Sequence, residues 1–564
     1  MNKKDSLFYF VSLGIGLVLL NLILKHYFFR IDLTEEKRFT ISEASKKLLK
    51  NLEQPVYVEV FLDGDLPPAF IRLKRSIHEI LEECKQYAGK KLQYKFTDPA
   101  AVSNEKTRAQ FYYSLAQKGI QPTNIFLKEG DRRVEKLIFP GAVISTGARE
   151  VGILLLKGSS ASSPEEIIDQ SIENLEYEFI SSIKSLGYIK KKKVAIIQHN
   201  EQPSPVDSIQ TLDLFSELKS LYEVQKINLK NYHSLNEWDV VMVVNPQKEF
   251  TDEDKIKIDQ YVVNGGKMIF FVDAVKINMD SIGENGTVSL PLDLNLDDLF
   301  FKWGIRINKV LVQDLNCAPI PVNVGNLGDK PQIKLLPWPY FPLFNTYGKH
   351  PIVRNMDAIY GKFVSVIDTV MARGITKTPL VFTSKYSKIV GPPSLVSLNE
   401  IRNKLEAENF NKSNLIVACL LEGKFKSLYA NRPLFLEKYP NLVNENKNAK
   451  IIVFSDSDIP LSDVEIRKAQ IIPMGQHTFL NKKYANKDFV INSLTYLLDE
   501  DGLILTRNKE LTVRPLDRFK IKSERNKWQF INVVLPLIFL AMVGLIWNFG
   551  RNRKNKTINI GQKA

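Results

Sequence analysis

The side chains of this chain best suited to chemistry fall in three short segments. Gln198-His199-Asn200-Glu201 sits where the apolar run Val194–Gln198 ends. His199 and Glu201 have the residue types of an acid–base pair, or of a holder for a small ligand. The plainer reading is a strand-end turn whose polar groups satisfy the local backbone. Asp456-Ser457-Asp458 follows the apolar run Ile451–Ser455. Two acids at i and i+2 can coordinate a hard cation such as Mg²⁺. The plainer reading is a helix-capping turn, in which Asp and Ser bind free amides. Asp273 follows Lys267–Val272 in the same way. Ligands of parallel sheets lie beyond the carboxyl ends of the strands. The three segments therefore describe one cleft, with His199, Glu201, Asp273, Asp456 and Asp458 as candidate ligand-binding residues.

Other signatures are missing. The chain has no Gly-x-x-x-x-Gly-Lys-Ser/Thr, no Gly-x-Ser-x-Gly and no His-Glu-x-x-His. His78-Glu79 has no second His four positions on and reads as a surface pair. Gly265-Gly266 follows a helix and precedes a strand, so it is a helix C-cap and not a phosphate loop. Cys84, Cys317 and Cys419 are scattered and odd in number, which implies no disulfide framework. Catalytic residues, metals and cofactors are not expected. Lys190–Lys193 carries no interleaved aromatics and reads as a solvated linker, so nucleic acid is not an expected partner.

The elements that position the cleft follow from periodicity. Val194–Gln198, Val224–Leu229, Asp239–Asn245 and Lys267–Asp273 are short β-branched runs. They alternate with helices at Val206–Leu221 and Thr251–Asn264. This pattern predicts a parallel sheet covered on both faces. Leu415–Leu421, Lys450–Ser455 and the helix Phe489–Leu498 are expected to complete it. Leu299–Pro393, rich in Pro, Val and aromatics, reads as an irregular or β-rich insertion. Upstream, Val56–Leu62, Ala69–Gly89, Leu92–Phe96, Lys106–Gly119, Asn124–Lys128, Val134–Phe139 and Gly152–Leu156 run β-α-β-α-β-β. That is the order of a thioredoxin-like layer. No Cys-x-x-Cys occurs at the start of the first helix, where Asp63–Pro68 sits instead, so redox chemistry is not expected.

Both ends of the chain are apolar. Leu7–Leu24 and Phe530–Phe549 each reach the ~18–20 residues needed to cross a bilayer as a helix. Trp528 and Trp547 mark the rims of the second. Both tails are short and basic, which predicts two cytoplasmic termini and a body of roughly residues 31–527 on the far side. The net charge is +14, spread along 564 residues. The expected layout is a transmembrane helix at 7–29, a thioredoxin-like α/β domain at 31–158 and a parallel-sheet domain at 165–515 with its insertion near 299–393. A second transmembrane helix at 528–549 and a basic tail at 550–564 close the chain.

Arg30–Lys50, Val56–Leu73, Tyr261–Asp273 and Phe454–Asp458, together with the two apolar ends, carry a resemblance. The chain resembles the gliding-motility-associated ABC transporter auxiliary family, the substrate-binding-like GldG proteins of Bacteroidota. The resemblance implies a non-enzymatic subunit that works with an ABC permease and a P-loop ATPase in gliding and surface-protein secretion. It implies an inner-membrane protein with a periplasmic body. It also implies a larger domain of the flavodoxin/glutamine-amidotransferase kind. Members often carry Gly-His-Gly-Glu where this chain has Gln198-His199-Asn200-Glu201, so both glycines are replaced. Two rival readings stand beside it. One is a membrane-tethered periplasmic enzyme using the cleft. The other is a mechanical scaffold gripping periplasmic partners through Pro331–Pro351, with Trp338, Tyr340 and Phe341 as anchors.

Overall fold

The computed structural model describes residues 12, 14–16 and 40–561, except 130–131, 148, 158–163, 188–190, 198–204, 280–281, 283–285, 328–329, 399–400, 402–404, 431, 433–438, 440, 466–469, 481 and 509–517. Two compact units divide the chain, Met1–Lys509 and Glu510–Ala564.

The first unit begins with helix α1 (Glu43–Lys50), whose N-cap Ser42 accepts from the Ser45 amide. Strand β1 (Val56–Val60) buries alternate residues. Helix α2 (Pro68–Ala88) starts at a proline, which suits a first helical position. It buries Leu73, Ile77, Leu81, Cys84 and Ala88 along one face. Strand β2 (Leu92–Phe96), helix α3 (Glu105–Gln117) and strands β3 (Thr123–Glu129), β4 (Arg132–Ile138), β5 (Gly141–Thr146) and β6 (Arg149–Leu154) follow. The sheet order is β2-β1-β5-β6, with β1 parallel to β2 and antiparallel to β5.

This corrects the expected strand set. The strands at 123–138 form a separate hairpin, and the sheet is completed by β5, which the spacing did not predict. Pro140-Gly141 looks like a turn. Gly141 is instead a strand residue paired with Leu154, and it has no room for a side chain, since a Cβ there would lie 2.5 Å from Ile120 Cγ2.

Helix α4 (Pro164–Gly187) packs on this layer through Ile168, Leu175, Phe179, Ile180 and Ile183. Strand β7 (Lys193–Ile197), helix α5 (Leu212–Leu221), strands β8 (Glu223–Ile227) and β9 (Val240–Val244), helix α6 (Asp252–Val263) and strand β10 (Lys267–Phe271) build the second layer. Strands β11 (Thr346–Tyr347), β12 (Ile375–Phe382), β13 (Ile416–Lys424) and β14 (Asn448–Phe454) and helix α7 (Asn486–Leu498) complete it. The eight-stranded order is β11-β12-β13-β14-β10-β9-β7-β8. Strands β14, β10, β9, β7 and β8 are mutually parallel. Every residue of β9 is buried. Val240, Met242 and Val244 face α5 and α7 on one side, while Val241 and Val243 face α6 on the other.

Three strands depart from the predicted parallel sheet. β13 is antiparallel to β14, β12 to β13 and β11 to β12. A strand buried on both faces is continuously apolar whichever way it runs, so composition alone does not give its direction. The expected helix Val206–Leu221 is likewise two helices, Pro205–Gln210 and α5.

The segment between β10 and β12 is rich in short strands. It includes the long hairpin Cys317–Leu327 with Lys330–Phe344 and a separate core around Trp338, Tyr340 and Phe341.

The second unit carries helix α8 (Arg518–Gly561). Its Lys527–Asn548 stretch is long and apolar enough to cross a membrane and is exposed along its length. Leu7–Leu24 lies outside the described residues except for positions 12 and 14–16.

Candidate functional site

The parallel strands bring Asn245, Asp273 and Ser455–Asp458 side by side. Val244 pairs with Phe271, and Phe271 pairs with Phe454. The pairing extends past the strand ends, since the Asn245 amide donates to Phe271 O (3.1 Å) and the Val272 amide to Phe454 O (3.1 Å). Asn245 then turns the chain at φ +48°, a left-handed conformation that Asn tolerates.

Two of the three carboxylates hold nearby amides and a hydroxyl. Asp273 Oδ1 accepts from the Ser457 amide (2.8 Å), and its Oδ2 lies 2.6 Å from Ser457 Oγ. Ser457 Oγ is also 3.0 Å from Asn245 Oδ1. Asp456 is fully buried. Its Oδ1 accepts from the Asp458 amide (2.8 Å), the geometry of an Asx-turn. Its Oδ2 accepts from the Lys362 amide (2.8 Å). Asp273 and Asp458 are partly exposed at the rim. Asp456 thus accepts free amides as a capping residue would, but no helix begins there for it to cap.

The donor of that last bond belongs to the insertion. The loop Gly361–Val364 reaches over the end of β14 and is fastened there. The Ser365 amide donates to Ser455 O (3.0 Å), and Ser455 Oγ donates to Ser365 O (2.6 Å). Gly361 permits the approach, because a Cβ would lie 2.9 Å from Asp456 Oδ2 and 2.7 Å from Phe344 Cε2. Phe363 sits at φ +51°, an uncommon conformation for a bulky residue. Lys362 Nζ pairs with Asp463 and lies 5.6 Å from the Tyr360 ring and 6.0 Å from the Phe341 ring.

Burial and mutual repulsion shape the charges. Burial, then Asp458, push Asp273 up to about 7. Burial, with Asp458 and Asp273, holds Asp456 well above the usual carboxylate range. Asp458 is raised by burial, with Lys362 pulling it down. Burial favours the neutral form of Lys362, but Asp463, Tyr360 and Asp458 outweigh it and keep the ammonium charged. The cluster is thus a set of acids sharing few charges around one fixed cation. Among the described residues, no group of three His, Cys, Asp or Glu side chains converges as metal ligands would.

The structure brings Asp273, Asp456 and Asp458 together, as predicted from the strand ends. His199 and Glu201 lie outside the described residues, beyond the Ile197 end of β7. Trp338, Tyr340 and Phe341 do not form an exposed grip. They are buried at 2%, 1% and 5% exposure, which corrects their assignment as partner anchors. Their rings pack around Phe363, at centroid distances of 5.6, 5.9 and 5.5 Å, and so brace the loop that covers Asp456. Large apolar side chains lower their free energy most by leaving water, and this stretch has a core of its own to enter. Gly361, Lys362 and Asp463 were missed. Nothing local to Gly361-Lys362 announces an acid 94 residues downstream.

A separate cleft of ≈ 510 Å³ opens beside α1 and the end of α4. Leu48, Leu52, Val56 and Ile183 line it with Lys47, Arg149 and Asp501.

Residues 191–493, more than half the chain, match the family described as ABC-type uncharacterized transport system. Residues 35–145 match a domain of unknown function. An uncharacterized protein of Borreliella burgdorferi is 24% identical over 577 residues, covering 99% of this chain and 100% of that one. Two solved structures are remote. The mmIFT52 N-terminal domain is 12% identical with a TM-score of 0.31, covering 55% of this chain and 98% of its own. A ThuA-like protein from Parabacteroides merdae is 13% identical with a TM-score of 0.25, covering 58% and 94%. Scores this low carry no argument about the fold.

Proposed function

We propose, from the premise that this chain belongs to the ABC-type uncharacterized transport system family, that its auxiliary transporter role is that of a non-enzymatic subunit. It works beside an ABC permease and a P-loop ATPase, in gliding motility and surface-protein secretion. The family match over residues 191–493 carries the reading. The exposed apolar helix at Lys527–Asn548 supports a membrane setting. In this reading the leading apolar stretch is a second anchor, both termini are cytoplasmic, and the body projects into the periplasm from the inner membrane. The two layers are thioredoxin-like and flavodoxin/glutamine-amidotransferase-like. The sheet orders β2-β1-β5-β6 and β8-β7-β9-β10-β14 support those labels. Asp456, with both oxygens engaged by backbone amides, supports a structural role for the acid cluster.

Solubilising the native protein in mild detergent tests this. A stable complex with a multi-spanning permease and a P-loop ATPase is the expected result. Recovery as a lone species, with transport intact in a deletion strain, overturns it.

A membrane-tethered enzyme is the second reading. It draws on Asp273, a rim carboxyl whose proton affinity is tuned to about 7. Asp273→Asn and His199→Ala should abolish function if that reading holds. Unchanged function in a folded protein removes it.

A further inference from the structure

Helix α8 is longer than its apolar stretch. It runs from Arg518 to Gly561, while the stretch able to cross a membrane is Lys527–Asn548. That stretch has 22 residues. At ~1.5 Å each they span roughly 33 Å, which matches the ~30 Å hydrocarbon core. The helix therefore leaves the core still wound and carries residues 549–561 beyond it.

This emergent end holds Arg551, Arg553, Lys554 and Lys556. They stand about 4–12 Å beyond Asn548 along the helix axis. The headgroup layer is about 5–8 Å deep on each side of the core. Charges in water act on one another over about 8–10 Å at ordinary salt. All four residues are thus level with the headgroups or within their electrostatic range. Residues 525–564 contain no Asp or Glu, so this end of the helix carries one sign of charge. The other flank is mixed. There Glu524 stands among Arg518, Lys520, Lys522, Arg525 and Lys527, and its Oε2 accepts from Trp528 Nε1 (2.9 Å).

The arrangement round the axis indicates the partner. With Arg551 as origin, Arg553, Lys554 and Lys556 stand at about 200°, 300° and 140°. The four positions form a collar and not a stripe. A protein surface meets one face of a helix, whereas headgroups surround it. We propose that Arg551, Arg553, Lys554 and Lys556 bind anionic phospholipid headgroups where α8 leaves the bilayer. Coulomb attraction to the lipid phosphates draws these lipids to the helix and fixes its depth. The proposal rests on the membrane reading of α8, and not on the permease or the ATPase.

The test uses the full-length Trp528→Phe protein, reconstituted alone in bilayers of phosphatidylcholine and phosphatidylglycerol. Trp547 is then the tryptophan in contact with lipid, since Trp238, Trp303 and Trp338 are buried in the first unit. Lipids brominated on their chains quench a tryptophan that they touch. At equal mole fraction, brominated phosphatidylglycerol should quench Trp547 as if enriched about fivefold over brominated phosphatidylcholine, the factor for one basic residue at an anionic surface. Added salt should reduce that preference. Arg551→Gln, Arg553→Gln, Lys554→Gln and Lys556→Gln together should abolish it. Phosphatidylcholine should still quench that variant, which shows the helix inserted. Arg551→Lys with Arg553→Lys, which keeps the charge, should retain the preference. Equal quenching by the two lipids overturns the proposal. A preference that survives the four Gln replacements also overturns it, and loss of the ATPase from that variant's complex would then assign the cations to a protein. Quenching by neither lipid overturns the membrane reading and the proposal with it. An intact preference supports the proposal even where no permease or ATPase copurifies with the native protein, so the two readings fail separately.

Discussion

Gly361 shows how closely single atoms decide the candidate site. Its missing Cβ lets the Lys362 amide reach Asp456, and a methyl there would meet both Asp456 Oδ2 and Phe344. Gly361→Ala should therefore destabilise the protein by about 1–3 kcal/mol, the usual cost of overpacking, read as a shift in the denaturant midpoint of the full chain in detergent. The titrating residues give opposite pH dependences. Asp273 is raised to about 7, so its contribution to stability is complete below the ordinary Asp value and is lost as pH rises through 7. Asp273→Asn should flatten the fall in unfolding midpoint between pH 5 and 8 (test range chosen around that value). His350 is lowered to about 4, chiefly by burial. Its contribution is complete above the ordinary His value of about 6.5 and is lost as pH falls towards 4. His477 is lowered too, chiefly by burial, and its Nδ1 accepts the Phe479 and Leu480 amides, bonds that a proton there would break. Replacing His350 by Phe should preserve packing against Tyr496 and reduce the loss of stability below pH 6, as followed by the midpoint across that range.

At the scale of elements, α4 is the tie of the first unit. Its Glu176 holds the start of α1 through the Ser42 amide and Ser45 Oγ. Its Lys184 holds Asp499 and Asp501 after α7, at 3.5 and 2.7 Å. Residues early and late in the body thus fasten to one helix. Glu176→Ala leaves a part-buried amide and a buried hydroxyl without this acceptor, a cost of about 1–3 kcal/mol for an unmet buried group. Limited proteolysis should show earlier cleavage near residue 45 in that variant (the Ser45 contact it loses), and wild-type cleavage there would show that α1 is held by its apolar face alone. The elements of the second layer were legible in large part. Lys193–Ile197, Val240–Val244 and Lys267–Phe271 are short β-branched runs between amphipathic helices, and a strand's type depends on that local pattern. Gly141–Thr146 was not legible, since Pro140-Gly141 carries the usual composition of a turn.

At the scale of the whole molecule, the family assignment and the exposed apolar helix both point to work done at a membrane beside other subunits. Deleting Lys527–Asn548 should leave the protein membrane-bound through Leu7–Leu24, and deleting both stretches should release it to the soluble fraction after alkaline extraction. Release by the first deletion alone would show that the leading stretch is no anchor.

Patterns a few residues long, read against water and lipid, sufficed for the apolar helix near the C-terminal end, the strand–helix alternation and the meeting of Asp273 with Asp456 and Asp458. Each depends on neighbours along the chain or on the rule that parallel strands end together. Packing between distant segments decided the rest. It set the antiparallel direction of β13, the burial of Trp338, Tyr340 and Phe341 and the capping of Asp456 by Lys362. Those outcomes turn on which surfaces meet across many intervening residues, and the composition of one segment carries no record of the segment that comes to lie against it.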